Sequence, residues 1–188
     1  MNQERLTTFE DAILAIIMTI LVLDLKLPET PTLAGLWQLH ASFFAYTLSF
    51  FWIGLMWVSH HNNWRHVKTI NGTTVMLTLV LLFFTSLFPY TTSFVSENFN
   101  NSVAQAFYGL IIIIISLCNV ALSRNLDHIN AAAHFGLLYR TADWVVYADL
   151  GLKIIGLILA ITVYPPAMMI AIFLASTLLL VGINTHDK

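Results

Sequence analysis

Apolar residues run through this chain in long blocks separated by short polar breaks, and the block lengths set the first expectation. A hydrocarbon layer about 30 Å thick is crossed by about 20 helical residues. Six stretches meet or approach that length, over approximately 9–27, 37–60, 72–95, 103–123, 144–163 and 165–184. The breaks carry turn chemistry: "LPETPT" after the first, "HHNNWRHVKTING" after the second, "SENFNNS" after the third, and Pro165-Pro166 between the last two. The fourth break, "RNLDHINAAAHFGLLYRTAD", is long enough to hold a short interfacial helix. The pattern predicts an all-α, polytopic membrane protein with six transmembrane helices forming one domain over residues 1–188. No repeat relates the first three stretches to the last three, which argues against an inverted-repeat transporter.

Composition agrees with that pattern. Of 188 residues, 58% are hydrophobic and 10% charged, and mean hydropathy is +0.78, so the bilayer is the solvent for most of the surface. The net charge of -2 and the lack of a basic run exclude a phosphate-backbone partner, and no nucleic acid is expected. Cys118, the single cysteine, reads as a small buried filler. The first apolar stretch is preceded by Glu4, Glu10 and Asp11, and "LDLKLPE" offers no small-x-small site, so an uncleaved first helix is expected rather than a signal peptide.

Basic residues near the helix ends give the orientation. With six spans, Arg5, Arg65, Lys68, Arg124, Arg140 and Lys188 fall on one side and only Lys26 on the other, which predicts cytoplasmic termini. Lys153 lies inside the fifth stretch, one turn after Asp149, and reads as a structural ion pair facing protein, with an ion-path role as the alternative.

Candidate chemistry is sparse. At 100° per residue, Ile16, Ile20, Leu23 and Leu27 share a narrow face of the first helix, with Thr19 on its flank and Asp11 well away. Lipid contact or core packing is the default account of such a stripe, because aliphatic spacing alone specifies nothing. Thr7 with Glu10, or Thr8 with Asp11, has capping-box spacing and predicts the start of the helix. In the second helix Trp57 is three residues from His60 and four from His61, so an indole donor and an imidazole share a face. Neighbouring histidines diverge by about 100° on a helix and chelate one ion poorly, so no tightly bound metal, haem or other cofactor is expected. There is no nucleophile elbow, metalloprotease His-Glu pair or phosphate-cradling glycine loop, and an enzyme is not expected.

Three separated segments agree, in order, with one family. "RLTTFED" followed by "AILAIIMTILVLDL" resembles the Arg-x-x-x-Phe-Ser-Asp signature and pore helix of the transmembrane protein 175 family, the endolysosomal potassium channels and their bacterial relatives. "SFFWIGLMWVSHHNN" resembles that family's second helix and "LLFFTSLFPYTTSFVSE" its third. The second half of the chain agrees in helix number and length only. The resemblance implies a potassium-permeable cation channel in a bacterial cell membrane. It implies a single-unit chain that forms a homotetramer, surrounded by membrane lipid, with the first helix of each copy lining the pore. It further implies a constriction of aliphatic side chains, Ile16, Ile20 and Leu23, with Thr19 as a polar layer and potassium passing near Ile16, Thr19 and Leu23. Arg5, Phe9, Asp11, Trp57, His60, His61 and Asn62 become a network that supports the pore helix. Glu10 stands where the signature has serine, so its hydrogen bonding is open. The other readings are a proton-coupled secondary transporter using Asp11, Asp149 or Lys153, and a non-conducting scaffold or haem protein built on His60 and His61.

Overall fold

The computed structural model describes residues 2–130 and 143–186, excepting the side chains of residues 143 and 181–186. The interfacial helix expected between the fourth and fifth spans would fall largely outside the described residues, as do Arg140 and Lys188. Among the described residues eight helical segments follow one another: α1 (Gln3–Leu23), α2 (Leu33–Gln38), α3 (His40–Trp64), α4 (Gly72–Ser86), α5 (Phe88–Glu97), α6 (Ser102–Ile129), α7 (Asp143–Thr162) and α8 (Ala167–His186). α1, α3, α4 with α5, α6 and α7 each give a segment long and apolar enough to cross a membrane, and α8 adds a shorter apolar stretch over Ala167–Leu180. The chain is a multi-pass membrane protein.

The helix boundaries follow local chemistry. α1 starts six residues before the apolar run, because Asn2 caps it by accepting a hydrogen bond from the Glu4 amide. The expected capping boxes at Thr7 and Thr8 are therefore not formed. Both threonines lie inside the helix and return their hydroxyls to main-chain carbonyls, Thr8 to that of Glu4 at 2.8 Å. The short α2, which hydropathy alone does not reveal, is nucleated by Thr32, whose hydroxyl accepts from the Gly35 amide. The third stretch is one span interrupted at Leu87, where Pro89 lacks the N–H that would bond back to Thr85 and so begins a new helix.

α6 forms the spine of the bundle, packing on α4, α5, α7 and α8, while α1 packs on α3, α4 and α5. α7 and α8 form a hairpin closed by Pro165 and Pro166, and they approach closely because a Cβ on Gly156 would collide with that of Ala171. The core contains Leu6, Leu14, Ile17 and Leu21 of α1, Ile53 and Met56 of α3, and Tyr108, Ile112 and Ile115 of α6. Within it the Tyr108 and Ser49 hydroxyls lie 2.8 Å apart and those of Ser49 and Thr92 2.9 Å apart, which satisfies polar groups that lipid would leave bare. Cys118 is half-buried against this core.

Side-chain bonds tie the helix ends together. At one end Gln3 donates to the Trp64 carbonyl at 2.8 Å, and the Asn130 side chain accepts from the amides of Lys68 and Thr69. Asn125 of α6 donates to Thr74, itself part of the capping box that starts α4. This end gathers the start of α1, the end of α3, the start of α4 and the end of α6, with Arg5, Arg65, Lys68 and Arg124. At the other end Lys26 pairs with Glu97 at 3.0 Å.

Candidate pore helix and its support

α1 has two distinct sides. Leu6, Glu10, Leu14, Ile17 and Leu21 point into the bundle and are buried. Ile16, Thr19, Ile20 and Leu23 stand on the exposed side, and Leu23 is 78% exposed. Leu27 continues the stripe beyond the helix end and is exposed as well. Thr19 turns its hydroxyl back to the Ile16 carbonyl at 2.8 Å, so its polar atom is satisfied within the helix. Among the described residues nothing covers this apolar side, and no side chain on it carries reactive chemistry.

Behind the stripe lies a polar layer unusual for the interior of a membrane bundle. Glu10 is 1% exposed. One of its carboxylate oxygens is in contact with His60 Nδ1 and the other accepts from the Trp64 indole at 2.9 Å. His60 Nε2 lies 2.6 Å from Asn119 Oδ1, so one imidazole links α1 through α3 to α6. Both carboxylate oxygens of Glu10 and both ring nitrogens of His60 thus have partners, which is what a buried acid in a membrane requires.

The neighbouring carboxylate has a separate role. Asp11 is exposed and accepts from the Trp57 indole at 2.9 Å, and His61 lies along the Trp57 ring with centroids 5.5 Å apart. Of the side chains the sequence singles out, Asp11, Trp57 and His61 are brought together here, and His60 belongs to the inner layer. Arg5 and Phe9 are exposed on the same side of α1 as Ile16, and the side chain of Asn62 is exposed. The Asn62 carbonyl accepts from His66 Nδ1 at 3.0 Å. An open polar cavity of about 510 Å³ sits beside these groups, lined by Asn2, Gln3, Glu4, Thr7, Asp11, His61, Trp64 and Arg65.

Glu10, Trp64 and Asn119 are the three members of the inner layer that the sequence reading does not assign. The signal for Glu10 was available: an acid four residues into the buried heptad-like series Leu6, Glu10, Leu14, Ile17 and Leu21 shares the core face. Asn119 carries no local signal, because its contact with His60 spans 59 residues.

A second polar group lies in the peripheral helices. Lys153 donates to Asp149 at 2.6 Å and to Ser116 of α6 at 2.9 Å, and its ammonium lies 5.6 Å from the centroid of the Trp52 ring. Both charged side chains are 2% exposed. The pair faces protein, as its spacing predicts, and fastens α7 to α6 and α3. Among the described residues no group of three His, Cys, Asp or Glu side chains is gathered as for a metal ion.

Comparison with known proteins follows the same division of the chain. Residues 5–89 match the sequence model described as Endosomal/lysosomal potassium channel TMEM175. A potassium channel of Chryseobacterium sp. (strain P1-3) is 39% identical over 110 residues, 58% of this chain and 57% of that one. A potassium channel of Streptomyces collinus (strain DSM 40733 / Tue 365) is 34% identical over 133 residues, 65% of this chain and 64% of that one. The matched regions thus span about six-tenths of these relatives. In fold, the crystal structure of a lysosomal potassium-selective channel TMEM175 homolog from Chamaesiphon minutus aligns with a TM-score of 0.71 over 96% of this chain and 97% of that one, at 23% identity. Over residues 5–89, where α1 opens and the next helices follow, the chain is thus similar to the TMEM175 family, and it shares the fold of a TMEM175 homolog over nearly its whole length.

Proposed function

We propose that the protein is a potassium-permeable cation channel. Four copies assemble around a shared axis, and α1 of each copy lines the pore. The chain contributes one six-helix unit, with α8 as the sixth span, and both termini face the cytoplasm of a bacterial cell, surrounded by membrane lipid. The observation that carries this reading is the uncovered stripe of Ile16, Ile20 and Leu23 on a spanning helix whose opposite side is packed and polar-anchored. Its relatives from Chryseobacterium and Streptomyces are named potassium channels, which supports potassium as the permeant ion.

The mechanism needs no reacting group or cofactor. A cation crossing a narrow aliphatic ring loses water contacts that no side chain there replaces, so the ring acts as a gate by dewetting. Thr19 offers a hydroxyl oxygen between the Ile16 and Leu23 levels. Asp11, Trp57, His60 and His61 hold α1 from behind, while Arg5, Phe9 and Asn62 lie toward the terminus-bearing mouth. No segment of the "TVGYG" kind supplies carbonyl rings, so preference for potassium arises from the geometry and hydration of the aliphatic constriction.

Purified protein in liposomes loaded with potassium should release it down its gradient without a coupled ion, as reported by a potassium-sensitive dye. Saturable exchange that requires a proton gradient would instead favour a carrier, and no flux from folded protein would remove the channel reading. For topology, a reporter active only outside the cytoplasm, fused after Lys188, should remain silent.

A further inference from the structure

Glu10 is a carboxyl buried against an imidazole, and it stands where the signature that this segment resembles has a serine, which cannot exchange a proton at ordinary pH. We propose that Glu10 and His60 form a proton-binding site that makes the anchorage of the pore helix depend on pH at the face bearing the start of α1. This rests on the channel reading for its effect on conduction, though the proton site itself does not.

Trp64 donates to Glu10, Glu10 touches His60 Nδ1, and His60 Nε2 meets the Asn119 side-chain oxygen, so Nε2 carries a hydrogen. The Glu10–His60 contact then requires one proton between the two atoms, on the imidazole as an ion pair or on the carboxyl as a neutral pair. Either way the cluster is neutral and fully bonded. Adding a second proton gives a carboxylic acid facing an imidazolium, two donors pointing at each other with a net positive charge. Removing the shared proton gives a carboxylate facing a bare ring nitrogen, two acceptors with a net negative charge. Both states break the contact and leave an uncompensated charge inside the bundle, so the intact contact holds one shared proton.

Among the surrounding groups, the Asp11 carboxylate is the charge that acts on this pair. On α1 the adjacent ionisable group is Asp11, whose carboxylate accepts from Trp57, and on α3 it is His61, which stacks on the same indole. α6 presents the neutral Asn119, with the Cys118 thiol beside it in sequence. α4 has no ionisable side chain, and α5 has Tyr90, which is exposed, and Glu97, which pairs with Lys26 at the opposite end. Trp64, which donates to Glu10, also lines the 510 Å³ polar cavity together with Glu4, Asp11, His61 and Arg65, so a single side chain separates the carboxyl from that cavity. Glu10 precedes Ile16 by six residues, about 9 Å along the helix, close enough for loosened anchorage to reach the first aliphatic level.

The test is potassium efflux from liposomes with pH varied only on the face bearing the start of α1. Wild-type flux should change by up to about tenfold per pH unit in at least one direction, the limit for linkage to one proton. Glu10→Gln and Glu10→Ser should each flatten that dependence, whatever their absolute flux. Infrared difference spectra between acid and alkaline protein give a second readout, in which a carboxyl band present in wild type should vanish in Glu10→Gln. A pH dependence that persists in both variants overturns the proposal, as does wild-type conduction that ignores pH. The absence of a Glu10 band also overturns it. If wild type shows the Glu10 band without potassium flux, the proton site stands and the channel reading falls.

Discussion

Ile16→Asn is expected to raise cation flux through folded, tetrameric protein, and Leu23→Ala to do the same with a loss of preference for potassium over sodium. Ile16 and Leu23 are 58% and 78% exposed in the single chain, so neither holds the fold together. Four copies would set their rings about 10 Å apart along the axis, from seven residues at 1.5 Å each. The polar asparagine side chain wets the first ring, and the short alanine side chain widens the second. Flux should rise about tenfold for each ~1.4 kcal/mol by which the dewetting barrier falls. Met18→Ala is the control. Met18 lies about 200° from Ile16, is partly buried against the core, and has its methyl group next to Gly54 of α3. Its truncation should lower stability by up to about 2–5 kcal/mol and leave conduction per folded channel unchanged. Liposome flux measured with potassium and with sodium checks all three variants. Equal flux and selectivity throughout would return the stripe to lipid contact or core packing.

The largest loss of stability is expected from Lys153→Ala. It leaves the Asp149 carboxylate in the bundle without its ammonium partner, and removing one member of a buried pair costs about 3–5 kcal/mol. The Ser116 hydroxyl loses the same partner. Replacing both charges together, as Asp149→Leu with Lys153→Met, should recover most of the loss, since matched apolar side chains avoid the desolvation penalty of both ions. Thermal unfolding in detergent distinguishes the two cases. A double variant as unstable as Lys153→Ala would mean that the Trp52 and Ser116 contacts of the ammonium carry the effect rather than its charge.

The spans were legible because membrane crossing needs length and apolarity, both of which are local properties. All six apolar stretches contain helix, and the Asp149–Lys153 pair follows from i,i+4 spacing alone. Positions where polar residues act inside the bundle were harder to read. α1 runs from Gln3 through a buried Glu10 held by His60 and Trp64, and a hydropathy reading that treats every acid as water-facing starts the helix too late. The break at Leu87 depends on one missing amide, that of Pro89, in a segment that remains apolar throughout. Asn119 illustrates the limit most clearly. Its partner is 59 residues away on another helix, and no periodicity within α6 distinguishes it from any other polar residue facing the core.

The central claim, that α1 lines a conducting pore, is tested most directly by cadmium block of substituted cysteines. The only native thiol, Cys118, is first replaced by serine, and Ile16→Cys or Met18→Cys is added to that background. Four thiolates converging on one axis bind a soft metal ion tightly, whereas thiols held apart by the bundle do not. If α1 lines the pore, micromolar-range cadmium abolishes potassium flux through Ile16→Cys and a thiol chelator restores it, with Met18→Cys unaffected. Flux through Ile16→Cys that ignores cadmium, or equal block of both variants, would contradict it.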